Sequence, residues 1–202
     1  MLYCIKKKES LREGGAKIMP DYITTYGGTH FVPTEPEAEK IHISDIAHAL
    51  SLICRGNGQV KTFFSVGQHC INCALEAEAR GYSQRVILAC LLHDAGEAYL
   101  SDVPSPFKKH LSGYKKLEEC LLSLIYRKYL GSDLTEEEQR QVEEIDKDML
   151  WYDLWILLGE VSDRPKPVMK TTFSYELQPF EKVEEAYRSL YEKWKISVRE
   201  TG

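Results

Sequence analysis

Apolar residues recur along most of this chain at the three- and four-residue spacing of helices, and a strand signal is confined to one short stretch near the beginning. With Ser44 as N-cap, the residues Ile46, Ala47, Leu50 and Ile53 mark the inner face of a helix that stops at Gly56-Asn57-Gly58 and leaves Arg55 at its end. A second helix is predicted over about 65–80, with Val66, His69, Cys70, Cys73, Ala74 and Ala77 inward and Gly81 beyond its end. The third runs over about 83–100, is apolar all round from Ile87 to Leu92, and is stopped by Pro104 and Pro106. A fourth, about 114–129, turns Leu117, Leu121, Leu124 and Ile125 inward and ends before Gly131. Thr135-Glu-Glu-Glu138 is a capping box opening a fifth helix to about Leu158, whose stripe is Val142, Ile145, Asp146, Met149, Leu150, Asp153 and Leu157. After a polar linker over 162–170 containing Pro165 and Pro167, a last helix covers about 180–196.

The pattern therefore predicts an all-α fold, a single domain of about six helices. Residues 1–41 are an irregular lead-in with one short strand pair around 22–31, residues 42–160 the helical core, and residues 161–202 the linker and a final helix packed on that core. No internal repeat or low-complexity tract interrupts this plan.

Several polar residues break the apolar faces. His93-Asp94 stands in the run Leu-Leu-His-Asp-Ala-Gly-Glu-Ala-Tyr-Leu-Ser-Asp-Val-Pro-Ser-Pro, residues 91–106. At about 100° per residue, with His93 at zero, Glu97 falls near 40°, Ser101 near 80° and Asp94 near 100°, so all four share one face of the expected helix. Burying unpaired charge is costly, and a bound cation removes that cost. His69, His93, Asp94 and Asp146, with Asp153 as a further candidate, come from buried faces of three helices. Two imidazoles and two carboxylates suit one divalent transition-metal ion, Mn, Fe, Co, Ni or Zn, with positions left open for water and a substrate oxygen. Each of these residues alone reads as a hydrogen-bonded core residue; the adjacent His-Asp pair, with no ion-pair partner at helical spacing, tips the balance to a metal. In the fifth helix, with Val142 at zero, Asp146 lies near about 40° and Asp153 near 20° within the stripe, whereas Asp148 lies near 240° beside Glu144 on the face expected to be wet.

Composition narrows the partners. With 202 residues, 43% of them hydrophobic, the chain is long enough for one well-packed domain. A net charge of -5 argues against a nucleic-acid polymer as partner, though a small phosphorylated ligand needs only local positive charge. No apolar run approaches a bilayer span, and Lys6, Lys7, Lys8 and Glu9 stand where a signal peptide has its apolar core, so no membrane partner is expected and the cytoplasm is the expected location. The six cysteines, among them Cys90 and Cys120, are read as reduced thiols packed in helix interiors. Cys70-Ile-Asn-Cys73 could be a zinc or redox motif, but no second cysteine pair stands at finger spacing. His30, His42, His48 and His110 could supply a second metal, or be surface and capping residues. The last helix offers a surface for a homodimer.

The constellation resembles the HD-domain metal-dependent phosphohydrolases, whose pattern is a His on one helix, a His-Asp doublet on a later one and a distal Asp. Here these look like His69, His93-Asp94 and Asp146. The segments Asp45-Ile-Ala-His-Ala-Leu-Ser51, Ile53-Cys-Arg55, Phe64-Ser-Val-Gly-Gln-His69 and the run 93–106 are similar to the branch that contains bacterial 5'-deoxynucleotidases and related phage and bacterial hydrolases. The resemblance implies an HD-type helical bundle and hydrolysis of a phosphate ester, of a nucleoside 5'-monophosphate in the first instance. It also implies that Arg55 binds phosphate, that Glu97 is catalytic and that Asp102 lies near the substrate. Such an ion lowers the pKa of water and polarises a phosphoryl oxygen, Arg55 offsets phosphate charge, and Glu97 or Asp102 moves a proton. Without the resemblance, Arg55 reads equally as a helix C-terminal cation and Asp102 as a turn residue. The family usually places an aromatic residue after the Arg, where this chain has Gly56. The alternatives are a nucleoside triphosphate triphosphohydrolase, favoured by extra cations such as Lys61, Lys108 and Lys109, and a nucleotide-binding protein without turnover.

Overall fold

A computed structural model describes residues 21–197. The charged stretch at Lys6 to Glu9 and the rest of the lead-in before residue 21 lie outside the described residues. The fold is all-α apart from one strand pair, β1 (Ile23–Thr24) with β2 (His30–Phe31), antiparallel and within the stretch read as a strand pair. Six helices of nine or more residues follow among the described residues: α1 (Ile43–Leu52), α2 (Val66–Ala79), α3 (Gln84–Leu92), α6 (Tyr114–Leu130), α7 (Glu136–Asp153) and α8 (Phe180–Trp194). Two single-turn helices, α4 (Glu97–Leu100) and α5 (Ser105–Lys108), lie between α3 and α6. No helix of the described residues is long and apolar enough to cross a membrane.

Local sequence explains most boundaries. Ser65 and Thr135 each accept from the backbone N–H three residues on while the Gln68 or Glu138 side chain accepts from the cap N–H, so both helices open on complete capping boxes. Gly131, with φ 83°, ends α6. α1 begins two residues earlier than expected, with His42 as N-cap, and ends at Leu52. Cys54 and Ser65 then form an isolated bridge, so Arg55 starts a separate 3-10 turn, Arg55–Gly58, and is not the tail of α1.

The core is contiguous. α2 lies against α3, and α8 covers α1, α2 and α3. Gly67 permits this: a Cβ there would stand 3.2 Å from the Leu50 carbonyl and 3.1 Å from Val183, tighter than ordinary contact. α8 buries Val183 and Tyr187, and the Tyr187 hydroxyl donates to the Leu91 carbonyl at 2.7 Å, pairing a C=O in the last turn of α3. The inner side of α8 is thus turned to its own core. In α6, Leu121 and Ile125 are buried as expected, but Cys120 is exposed, which corrects its assignment to the interior.

One expectation about α7 is overturned. Its buried residues are Val142, Ile145, Asp148, Met149 and Asp153, while Leu150 is 40% exposed. The buried face is rotated by about 40° from the predicted stripe, toward Asp148. The cause is electrostatic: Arg80 donates to Asp148 at 2.8 Å and Arg164 at 2.5 Å, so this carboxylate is buried in partnership and is not on a wet face. Arg80 also holds the fully buried Glu76, whose oxygens accept from the Lys170 and Thr171 amides, pinning the 162–179 segment onto α2.

Candidate metal centre

His69 enters the core from α2 and is fully buried. α3 stops at Leu92, and residues 93–96 continue as tightened turns in which Ala95 and Glu97 donate to the Leu92 and Asp94 carbonyls at 2.9 Å. The continuous helix expected to Leu100 is broken here, and Ser101 does not share the face of His93: it is exposed, with φ 71°. Adjacent residues of a regular helix diverge by about 100°. The break lets His93 Nε2 and Asp94 Oδ2 come within 3.3 Å of each other. From α7, Asp146 Oδ1 stands 3.1 Å from His69 Nε2 and 3.6 Å from His93 Nε2. His69 Nε2 lies 3.3 Å from His93 Nε2 and 3.9 Å from Asp94 Oδ2. All four expected ligands therefore converge, with Asp146 at the solvent edge, its side chain 39% exposed.

The donor set fits an ion. Bonds of about 2.0–2.2 Å give ligand-to-ligand edges of about 2.9–3.5 Å, close to the spacings found. Both imidazoles have their other nitrogen committed: His93 Nδ1–H donates to the Cys90 carbonyl at 2.7 Å and His69 Nδ1–H to Asp153 Oδ2 at 2.9 Å. In the neutral rings both Nε2 lone pairs then face one point, and two lone pairs at 3.3 Å repel unless a proton or cation stands between them. Burial and Arg55 press the His69 pKa down, yet Cys73, Asp153 and Asp146 outweigh them and hold it well above its usual value. Burial likewise lowers His93, but Asp94, Cys70 and Asp146 raise it well above its usual value. Burial pushes Asp146 up, but hydrogen bonds from His69 and His93 hold it well below the carboxylate range. The site attracts positive charge at this one point.

Arg55 bridges two of these carboxylates, donating to Asp94 Oδ2 and Asp153 Oδ2 at 3.3 Å each. Burial opposes its charge, but Asp153, Asp94, Glu97 and Asp146 keep its pKa raised. Asp102 accepts from the Gly56 N–H at 3.1 Å and so fixes the turn that carries Arg55. Gly56 sits at φ 60°, a left-handed conformation that disfavours the aromatic residue usual at this point of the resembling family. Glu97, 6% exposed, lies beside the cluster with Oε2 buried and unpartnered and Oε1 3.8 Å from Lys108 Nζ. Burial, Asp94 and Asp102 raise its pKa well above the usual carboxylate value, against Arg55 and Lys108. A cavity of about 240 Å³ opens onto His93, Asp94 and Glu97 and is lined also by Lys108, Lys115, Glu118 and Glu119.

One participant was missed in the sequence. Tyr175 donates to Asp153 Oδ1 at 2.9 Å, holding the carboxylate that orients His69. It comes from the segment after the polar linker, and only the aromatic Phe173 and Tyr175 set that segment apart. Removing this neutral hydroxyl costs about 0.5–1.5 kcal/mol of orienting hydrogen bond. Tyr175→Phe is therefore expected to weaken metal binding by up to about tenfold without unfolding the chain, read by calorimetric titration of the apoprotein. Unchanged affinity would show that Asp153 holds its place alone. Cys73, weighed in the sequence only as part of a Cys-x-x-Cys motif, has its Sγ 3.5 Å from His69 Nε2. Among the described residues, the candidate ligand groups draw on His69, His93, Asp94, Cys70 and Cys73. His48 pairs with Glu184, His30 stacks on Tyr22, and neither joins the cluster.

No family model matches the chain. It is similar to uncharacterized protein YfdR of Escherichia coli K12, 39% identical over 108 residues, which cover 54% of this chain and 58% of that protein. It is also similar to uncharacterized protein RCAP_rcc00048 of Rhodobacter capsulatus, 29% identical over 166 residues, covering 76% and 85%. The match to YfdR thus spans less than two thirds of that relative's length.

Proposed function

We propose that this chain is a cytoplasmic, metal-dependent phosphohydrolase of the HD type that cleaves the phosphate ester of a nucleoside 5'-monophosphate. The observation that carries the reading is the convergence of His69 Nε2, His93 Nε2, Asp94 Oδ2 and Asp146 Oδ1 on one point beside a buried guanidinium. The nucleotide itself comes from the resemblance of the segments around Arg55 and His93. A divalent ion held by these four residues would supply an acidified water and polarise the phosphoryl group.

The chain's own residues do the rest. Arg55 has five N–H donors and spends two on Asp94 and Asp153, leaving others for a phosphate oxygen. Glu97, whose acid form is favoured by burial and its acidic neighbours, faces the cavity and in that form can pass a proton to the leaving oxygen. Asp102, occupied by the Gly56 amide, is a positioning residue for Arg55. A raised pKa extends the acid form to a pH at which an ordinary carboxyl has already ionised, and that form is lost as pH rises through it. Glu97→Gln is therefore expected to keep the ion, lose about 10²- to 10⁴-fold in turnover and flatten the alkaline limb of the pH–rate profile. A few-fold effect would make Glu97 structural.

A monoester is favoured over a triphosphate. Lys108 is tied to Glu118 at 2.5 Å and Lys115 lies 3.6 Å from Glu119, so the cations of the cavity are already offset by carboxylates. The test is a nucleotide panel with Mn, Co or Ni, measuring phosphate and triphosphate separately. Phosphate from monophosphates supports the reading; triphosphate release, or tight binding without product, overturns it.

A further inference from the structure

We propose that Cys73 is a fifth protein ligand of the same ion, a thiolate donor beneath the two imidazoles, so that the site selects a thiophilic divalent ion, Zn(II) or Co(II), over Mn(II) and Mg(II). The inference rests on the metal reading above and adds a donor that the HD pattern does not contain. Cys73 follows His69 by four residues in α2, so the two side chains lie one above the other on the same face. Its sulfur is 3.5 Å from His69 Nε2, and the sulfur and the ring nitrogens of His69 and His93 all lie within 4.8 Å of one another. Metal–nitrogen bonds of about 2.0–2.1 Å and metal–sulfur bonds of about 2.3 Å place nitrogen and sulfur about 3.1–3.6 Å apart across one ion. The observed separation falls in that range.

Helix spacing brings the two side chains together, and the Cys73 sulfur, 1% exposed, stands at the nitrogen whose lone pair faces the cluster. Cys70 is one step round the helix and groups with His93 and Asp94 instead. When Cys73 binds, the sulfur–metal bond forms and the thiol proton leaves to solvent. Soft sulfur then shifts preference among divalent ions toward those that accept thiolate.

Cobalt substitution of the full chain tests this without any substrate. The Co(II) protein is expected to show a thiolate-to-cobalt charge-transfer band in the near ultraviolet. Cys73→Ser is expected to lose that band while keeping the helical circular dichroism and about one cobalt per chain, and its preference for Zn(II) over Mn(II) should fall by at least about tenfold. The double variant Cys70→Ser/Cys90→Ser should keep the band, so the outcome does not depend on the folding of the Cys73 variant. Cobalt bound by the parent chain with no band, a band that survives Cys73→Ser, or a band lost in the double variant overturns the assignment and leaves the four-ligand centre standing. Failure of the parent chain to bind cobalt at all overturns both.

Discussion

Alanine at His93 or at Asp94 is expected to strip the ion from the protein and abolish turnover. His93 Nε2 lies 3.3 Å from His69, 3.3 Å from Asp94 and 3.6 Å from Asp146, and Asp94 Oδ2 lies 3.9 Å from His69 Nε2. Removing a supporting partner of a ligand typically costs about 10- to 100-fold in affinity, so loss of a ligand itself should exceed about 100-fold. Asp94→Ala carries a second effect, because Arg55 loses one of its two carboxylates and remains buried and charged. Chelation of the unaltered protein should act with the same sign on stability. An ion present at about 100 times its Kd stabilises the fold by about 2.7 kcal/mol. For a chain of this size that corresponds to a fall of roughly 5–10 °C in Tm on chelation. Metal analysis after gel filtration, with phosphate release on the same samples, decides the matter. Undiminished metal in both variants would sink the assignment of these ligands.

What the sequence carried was periodicity and capping chemistry. The boxes at Ser65-Val-Gly-Gln68 and Thr135-Glu-Glu-Glu138 are local, and both helices begin where those residues direct. The four expected ligands were legible for a related reason: a charged group on an apolar face is visible from spacing alone, and His69, His93, Asp94 and Asp146 do converge. What failed was whatever depends on contacts distant in sequence. The break after Leu92 has no proline or glycine at its start; it lets two adjacent side chains converge on one point, and Tyr187, 96 residues on, covers the Leu91 carbonyl. Tyr175 gains its role only when the 162–179 segment folds back over α2, and that segment is anchored by Glu76, an acid whose burial depends on Arg80 and on the amides of Lys170 and Thr171. Gly56 was visible as a departure from the resembling family, but its positive φ and its bond to Asp102 were not.

Asp146 and Asp148 separate catalysis from stability, and both are expected to matter. Asp146→Asn should lose the ion and the activity while melting close to the parent apoprotein, because its side chain is 39% exposed and its partners are the imidazoles of His69 and His93. Asp148 stands on the other flank of the buried face of α7, with its side chain 8% exposed and both oxygens held, one by Arg80 and one by Arg164. An amide in its place keeps one acceptor but sets an N–H₂ against a guanidinium, leaving a donor facing a donor in a buried site. Such an unsatisfied, charge-assisted contact costs about 1–3 kcal/mol. Spread over 202 residues, that is a fall of roughly 2–12 °C in Tm, with metal stoichiometry unchanged. Calorimetric melting and metal analysis of the two variants side by side give the answer. If Asp148→Asn lost the ion while Asp146→Asn retained it, the distal ligand would lie on the Arg80 side of α7 and the geometry of the centre would have to be redrawn around it.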